Sequence, residues 1–162
     1  MSRANTGNDS IVMFLFDEKC VTMNSMMEYN EENLQKIAGI IKQNLTIDLL
    51  PKKWISKNLN NRMYGHCHNV SGCLYKIFGS EHLSMYRAFD GEIYHWWVQD
   101  KTGKIIDLTS EQYTSVGKLP PYDKAEKAGL LGFEYKRRVL KLYDRVISKL
   151  NEKKLGVFNY YE

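Results

Sequence analysis

The feature that most constrains the fold is a short turn, Asp100–Gly103, set between two segments rich in aromatic and β-branched residues. Glu92–Gln99 before the turn and Lys104–Thr109 after it have the composition of strands. A glycine at the end of such a turn supplies the positive φ that a hairpin commonly needs. The chain is therefore expected to contain an antiparallel pair of strands at this point.

The register of this pair decides which side chains can meet. If Asp100 pairs with Lys104 across a three-residue loop, His95 and Asp107 lie on one face as diagonal neighbours, roughly 5–6 Å apart by backbone. A two-residue loop at the end of the same turn would place them on opposite faces. In the first register the carboxylate can fix one nitrogen of the imidazole and leave the other free to take a proton. Trp97 shares that face and is expected to roof the site, whereas Tyr94 and Trp96 are expected in the core.

Cys67 is the candidate nucleophile because it lies where a glycine turn meets a predicted helix. Gly65 precedes it, and His68–Phe78 has apolar residues at helical spacing before Gly79, a typical helix-ending glycine. The free N–H groups and the dipole at a helix start stabilise a thiolate and can also hold an oxyanion. The order of cysteine, histidine on a strand and aspartate on the next strand suits a papain-like or transglutaminase-like layout.

The two other cysteines are weaker candidates for a catalytic nucleophile. Cys73 lies on the apolar stripe of the predicted helix and is expected in the core, and Cys20 falls in a loop of undetermined structure. Three cysteines in a chain of this kind are not a disulfide framework. Free thiols are therefore expected.

Helices are predicted on both sides of this unit. Residues 1–10 are polar and expected to be disordered, and Ile11–Phe16 is compatible with a short buried strand. Asn30 and the two glutamates after it form the N-cap pattern of an amphipathic helix of about 14 residues. The loop after it is expected to carry Trp54 into the core. After two prolines, a basic helix is predicted over residues 120–155, with a stripe of Val139, Leu142, Tyr143, Val146 and Leu150.

These elements predict one α+β domain over residues 1–162, in which the helix carrying the cysteine packs on a small antiparallel sheet between N- and C-terminal helices. No apolar run is long enough to span a membrane and no signal peptide is recognisable, so a cytoplasmic protein is expected (the host cytoplasm if a phage encodes it). From residue 117 onward there are 11 Lys and Arg against six Asp and Glu. Such a basic face can meet nucleic acid or an acidic partner, but it is more often simply solvated, and no nucleic-acid-binding motif supports the first alternative.

Three segments, Gly65–Cys67, His95–Trp97 and Gly103–Tyr113, together resemble the YunG-like family of small bacterial and phage proteins. Members show a G-x-C helix start, an H-W strand and a G-x-x-x-D-x-T-x-x-Q strand end. The match covers residues 50–115, which would form the catalytic core. The resemblance implies a papain-like cysteine hydrolase fold and no particular substrate.

Carried over residue by residue, the resemblance makes Cys67 the nucleophile, His95 the general base and acid, and Asp107 the orienting acid. Asn61 lies six residues before the cysteine, where papain-like enzymes hold an oxyanion-hole glutamine, but it is shorter by one methylene. The remaining candidates for the pocket or the oxyanion hole are His66, Trp97, Thr109 and Gln112.

The expected function is a cofactor-free cysteine hydrolase or acyltransferase acting on an amide, isopeptide or related acyl bond of a peptide, a protein or a small amide. Two alternatives remain open. One is a non-catalytic phage or bacterial accessory protein that uses the same fold for binding. The other is a zinc-binding protein, although the spacing of the candidate ligands argues against it; these are His66, Cys67, His68, Cys73, His82 and His95.

Overall fold

The computed structural model of the protein describes residues 27–129 and 133–158, with side chains described over 27–129 and 137–152. The expectations of disorder over residues 1–10 and of a strand at Ile11–Phe16 lie outside the described residues. Cys20 also lies outside them.

Five helices and four strands are found in the described ranges, and they form a mixed α+β fold, as the sequence predicted. The strands pair in one antiparallel sheet with the order β3-β2-β1-β4. The helices are α1 (Glu31–Gln43), α2 (Ile55–Asn60), α3 (Cys67–Phe78), α4 (Glu111–Thr114) and α5 (Phe133–Phe158). The strands are β1 (Leu83–Phe89), β2 (Tyr94–Asp100), β3 (Ile105–Ile106) and β4 (Glu126–Lys127).

The helix that carries the cysteine is central to the fold. α3 contacts β1 and β2 on one side and α5 on the other, and α1 in turn contacts α5. The predicted apolar stripe of α3 is buried, and the helix ends at Gly79, whose φ of +83° lies in the left-handed region that favours glycine. The start of α1 is also as predicted, because the Asn30 side chain accepts a hydrogen bond from the backbone N–H of Asn33 at 2.9 Å.

The hairpin between β2 and β3 has the three-residue loop. Val98 pairs with Ile106, and the backbone N–H of Asp100 donates to the carbonyl of Lys104 at 3.1 Å. Gly103 has a φ of +85°, as the turn pattern predicted. Successive strand residues point to opposite faces. Trp96 and Val98 therefore point into the hydrophobic core, whereas His95 and Trp97 point to the opposite face of the sheet.

Several predicted boundaries are wrong. β2 begins at Tyr94 instead of residue 92, because the Asp90 carboxylate accepts from the backbone N–H groups of Glu92 and Ile93 and holds them in a turn. β3 is only two residues long, since the chain leaves the ladder where Asp107 bonds to the backbone N–H two positions later.

The C-terminal helix begins at Phe133, well after residue 120. The intervening chain forms a 3₁₀ turn at Tyr122–Lys124 and then β4, which pairs with the free edge of β1. The backbone N–H of Ala128 donates to the carbonyl of Met85 at 2.9 Å and extends this contact. All five residues of the predicted α5 stripe are buried.

Two aromatic residues predicted in the core are not there. Tyr94 is 44% exposed, because it is the first residue of β2 and pairs with the exposed Phe89 at the end of the strand pair. Trp54 is half-buried in a 3₁₀ turn at Lys52–Trp54, and its ring packs against Gly65. Trp96, by contrast, is buried as expected.

The basic charge of α5 is partly paired within the chain. Lys141 and Arg145 both reach the Asp48 carboxylate, at 2.6 Å each, and the Arg145 bond comes first among the causes that hold the pKa of Asp48 well below its usual range. None of the helices in the described ranges has the length and hydropathy that a membrane span requires.

Candidate active site

The predicted pair of His95 and Asp107 forms in the structure. Because Val98 pairs with Ile106 at the end of β3, the next residue, Asp107, lies diagonally across from His95. His95 Nε2 lies 2.7 Å from Asp107 Oδ2. The two side chains are 0% and 3% exposed, so this charged pair is shielded from water.

Both oxygens of the Asp107 carboxylate accept hydrogen bonds. Oδ2 also accepts from the Tyr122 hydroxyl at 2.8 Å, and Oδ1 accepts from the backbone N–H and the hydroxyl of Thr109, both at 2.9 Å. Burial alone would raise the pKa of Asp107, but these donors and His95 outweigh it, so the pKa lies below its usual value. The carboxylate is therefore ionised and fixed in orientation.

Cys67 is the first residue of α3 and is 3% exposed. Its thiol lies 3.9 Å from the carbonyl oxygen of Tyr94 and close enough to the His95 ring to affect its titration. Burial opposes the charged form of that ring, but the bond to Asp107 and the interaction with Cys67 more than compensate. Together they raise the pKa of His95 to about 9. The three predicted triad residues therefore lie together.

The start of α3 brings backbone N–H groups close to the cysteine. His66 is the N-cap residue and provides no side-chain cap for the helix. The first N–H groups of an α-helix have no partner within the helix itself. His66 itself is 1% exposed, and burial, together with the nearby Arg62 cation, lowers its pKa to about 4. It is therefore neutral at physiological pH.

Gln112 contacts the other nitrogen of the His95 ring. Its side-chain Nε2 contacts His95 Nδ1, while its Oε1 is buried without a hydrogen-bond partner among the described residues. Trp97 Nε1 is a second buried atom without a partner there, and its ring stacks on His95 at 5.8 Å between centroids. Buried polar atoms without a hydrogen-bond partner are uncommon in folded proteins, and here two of them lie on residues that contact the imidazole.

Asn61 is near the site, but its side chain is already used. The amide donates to the carbonyl of Gln112 and to the hydroxyl of Ser115, at 3.1 Å each, and its oxygen accepts from the backbone N–H of Met63. Neither amide hydrogen is left for an oxyanion. Asn61 instead fixes α4, and with it Gln112, against the turn that precedes the cysteine.

Two residues that the sequence reasoning missed complete the surroundings of His95. The Tyr113 ring meets the imidazole edge-on at 4.9 Å, and its hydroxyl donates to Asp90 Oδ2 at 2.6 Å. Tyr122 bonds to Asp107 and packs on Trp97 at 5.0 Å. Tyr113 ends the segment that resembles the YunG-like family and could have been suspected. Tyr122 follows two prolines in a loop, where no periodic pattern indicates what it faces.

The described residues do not form a metal site. No three His, Cys, Asp or Glu side chains among them converge on a point that could hold a metal ion. In particular, the histidine pair around Cys67 does not combine with Cys73 in this way. Cys73 is fully buried, and that burial raises the pKa of its thiol far above the usual value.

Comparison with protein-family models, curated proteins and solved structures finds no match to this chain. The resemblance to the YunG-like family therefore stays a prediction. Function has to be argued from the geometry of the site.

Proposed function

We propose that this protein is a cysteine hydrolase or acyltransferase with a papain-like layout, in which Cys67, His95 and Asp107 form the catalytic triad. The observation that supports it most directly is the 2.7 Å contact between His95 and Asp107 with the Cys67 thiol beside the same ring. The three residues come from three places in the fold: the start of a helix, a strand, and the position that follows the next strand. The arrangement matches the roles of nucleophile, base and orienting acid.

In this proposal the two ring nitrogens of His95 have different partners. Asp107 holds Nε2, so the proton that Cys67 gives up is held at Nδ1, and the raised pKa of His95 favours keeping it there at neutral pH. The thiolate then attacks the acyl carbon, and the N–H of Cys67, at the start of α3, donates to the resulting oxyanion. The imidazolium returns its proton to the leaving amine. Water, or a second amine in the case of transfer, attacks the thioester, gives its proton to His95 and restores the thiol.

Gln112 can follow the imidazole through this cycle. A neutral ring has a lone pair on Nδ1, which the amide N–H of Gln112 can meet. A protonated ring carries a hydrogen there, and half a turn of the amide would bring Oε1, which has no partner in the described part of the chain, to accept it. The side chain is therefore suited to contact either form of the ring at Nδ1, the same nitrogen that exchanges a proton with Cys67.

The burial of the site favours one rival function. With Cys67 3% exposed and His95 fully buried beneath Tyr113 and Tyr122, a substrate reaches the thiol only if this cover moves. A non-catalytic accessory protein would need no such movement and could keep the triad as a buried structural network. The two functions differ in whether the thiol is reactive.

The test is the rate at which iodoacetamide alkylates each cysteine between about pH 5 and 9, followed by peptide mass spectrometry. An active triad makes Cys67 react well below the pH at which an ordinary thiol does, since the imidazolium stabilises the thiolate. His95→Ala should remove this low-pH reaction. Cys73 is the internal control, because burial keeps its thiol protonated.

Two results would count against the enzyme. If Cys67 reacts no faster than Cys73 at every pH, the thiol is inert and the accessory-protein function replaces the proposal. If Cys67 reacts quickly but His95→Ala leaves its pH profile unchanged, the imidazole is not the partner of the thiol. The acyl-transfer mechanism above then fails.

A further inference from the structure

A cleft of about 340 Å³ opens near the start of α3 and is not used by the mechanism above. It lies between the start of α3, the 3₁₀ turn before α2 and the middle of β2. Its volume equals that of roughly ten water molecules, enough for a small organic group. Its walls are formed by Pro51, Lys53, Trp54, Gly65, His68, Asn69, Trp96 and Arg138.

The cleft is positively charged. Lys53 and Arg138 are its ionisable cations, and no Asp or Glu is among the lining residues. Within the described part of the chain neither of the two forms an ion pair, whereas Lys141 and Arg145 on the same helix as Arg138 are both paired with Asp48. Cations without a counter-charge in a concave site attract anions.

The cleft also offers flat apolar walls. Trp54 and Trp96 supply indole rings, and the His68 ring meets Trp96 edge-on at 4.7 Å. Lys53 Nζ lies 5.3 Å from the centre of the Trp54 ring, so a cation and a ring face act at the same place. Burial and the Arg138 cation both lower the pKa of His68, so this ring is a neutral wall.

Gly65, His68 and Asn69 line the cleft and lie within two positions of Cys67 in the chain, although Cys67 itself is not a lining residue. We propose that the cleft binds an anionic group, a carboxylate or a phosphate, carried on a planar ring. Lys53 and Arg138 pair with the anion, and the two tryptophans flank the ring. On the proposed function, this is the part of the substrate that positions its acyl group at Cys67.

The test measures binding by Cys67→Ser protein, so that it does not depend on catalysis. Two matched pairs of probes differ only in the anion: hippurate against hippuramide, and adenosine monophosphate against adenosine. Isothermal titration calorimetry gives Kd, and tryptophan fluorescence reports on the cleft. We expect an anionic probe to bind at least about tenfold more tightly than its neutral partner, and to weaken as salt is added.

Variants locate the site. Lys53→Gln and Arg138→Gln should each weaken the anionic probe by about tenfold, the effect of losing one charged hydrogen bond. Lys101→Gln removes the same charge from the tip of the β2–β3 hairpin, outside the cleft, and should leave Kd unchanged. Hippurate binding alone would identify a carboxylate as the ligand, and nucleotide binding alone a phosphate.

Equal binding of the charged and neutral probes, or equal Kd values in all three variants, would overturn the inference. Neither result would affect the triad, since the alkylation of Cys67 is measured separately. Conversely, an inert Cys67 with selective anion binding would remove the hydrolase and leave the cleft as a binding site.

Discussion

Replacing Asp107 with asparagine is the change that tests the site most sharply. Asparagine has nearly the same shape but no charge. Its amide nitrogen would face two groups that now donate to Oδ2, His95 Nε2 and the Tyr122 hydroxyl. The imidazole can avoid this conflict only by changing tautomer, which would leave Nδ1 protonated and unable to accept from Cys67.

The size of the effect follows from the titration of the ring. His95 has a pKa raised to about 9 from an ordinary value of 6.5, a difference that corresponds to about 3 kcal/mol. With the carboxylate gone, burial lowers the pKa and only Cys67 still raises it. We therefore expect the His95 pKa of Asp107→Asn to fall to 6.5 or below, and the protein to lose about 3 kcal/mol of unfolding free energy at pH 7.

The assay is an NMR titration of the histidine ring carbons in the wild-type and Asp107→Asn proteins, with urea unfolding at pH 7 alongside. Asp90→Asn is the matched control. Its carboxylate accepts from the Tyr113 hydroxyl, and that ring touches the imidazole, yet Asp90 itself makes no bond to His95. We expect the control to lose a hydrogen bond and to leave the His95 midpoint close to that of the wild type.

A His95 midpoint that stays near 9 in Asp107→Asn would refute this reasoning. It would mean that the carboxylate does not set the charge of the ring, in spite of the 2.7 Å contact. A similar fall in Asp90→Asn would assign the effect to general negative charge, and the specific role of Asp107 would be lost.

Three further predictions can be checked by urea unfolding. The free energy of unfolding of the wild type should fall by up to about 3 kcal/mol as the pH rises from 6.5 to 9. The reason is that His95, with its raised pKa, keeps a proton in the native state that the unfolded chain has already released. A free energy of unfolding that does not change over this pH range contradicts the prediction. Gly65→Ala should cost at least about 1 kcal/mol more than Gly103→Ala, since both have positive φ but only the first Cβ would meet Trp54, at 2.9 Å; equal losses contradict it. Tyr122→Phe should cost about 1.5 kcal/mol for its bond to a carboxylate; an unchanged stability contradicts it.

The sequence predicted the parts of the site that local rules determine. Gly79 and Gly103 mark a helix end and a turn because few other residues adopt their backbone angles. The turn then determined the strand register, and the register placed His95 beside Asp107. The position of Cys67 at a helix start followed from the glycine before it and the apolar stripe after it.

The remaining features depend on tertiary contacts that no short pattern contains. Tyr122 meets Asp107 because a proline-containing loop crosses the sheet, and nothing in its own neighbours indicates that path. The role of Asn61 as a tie to Gln112 depends on a contact across 51 positions. Trp54 was predicted to be carried into the core by the loop after α1, whereas it packs against Gly65 and lines a cleft.

The three-residue loop of the hairpin also limits how this protein could change during evolution. Adding or removing one residue between Asp100 and Lys104 would reverse the faces of everything after the turn. The Asp107 carboxylate would then point into the helical core and Ile106 toward the imidazole. A loop altered by two residues would keep both on their present sides. In relatives that retain His95 and Asp107, the length of this loop should therefore differ by even numbers of residues. The exposed turn is in this way constrained by the buried site that it positions.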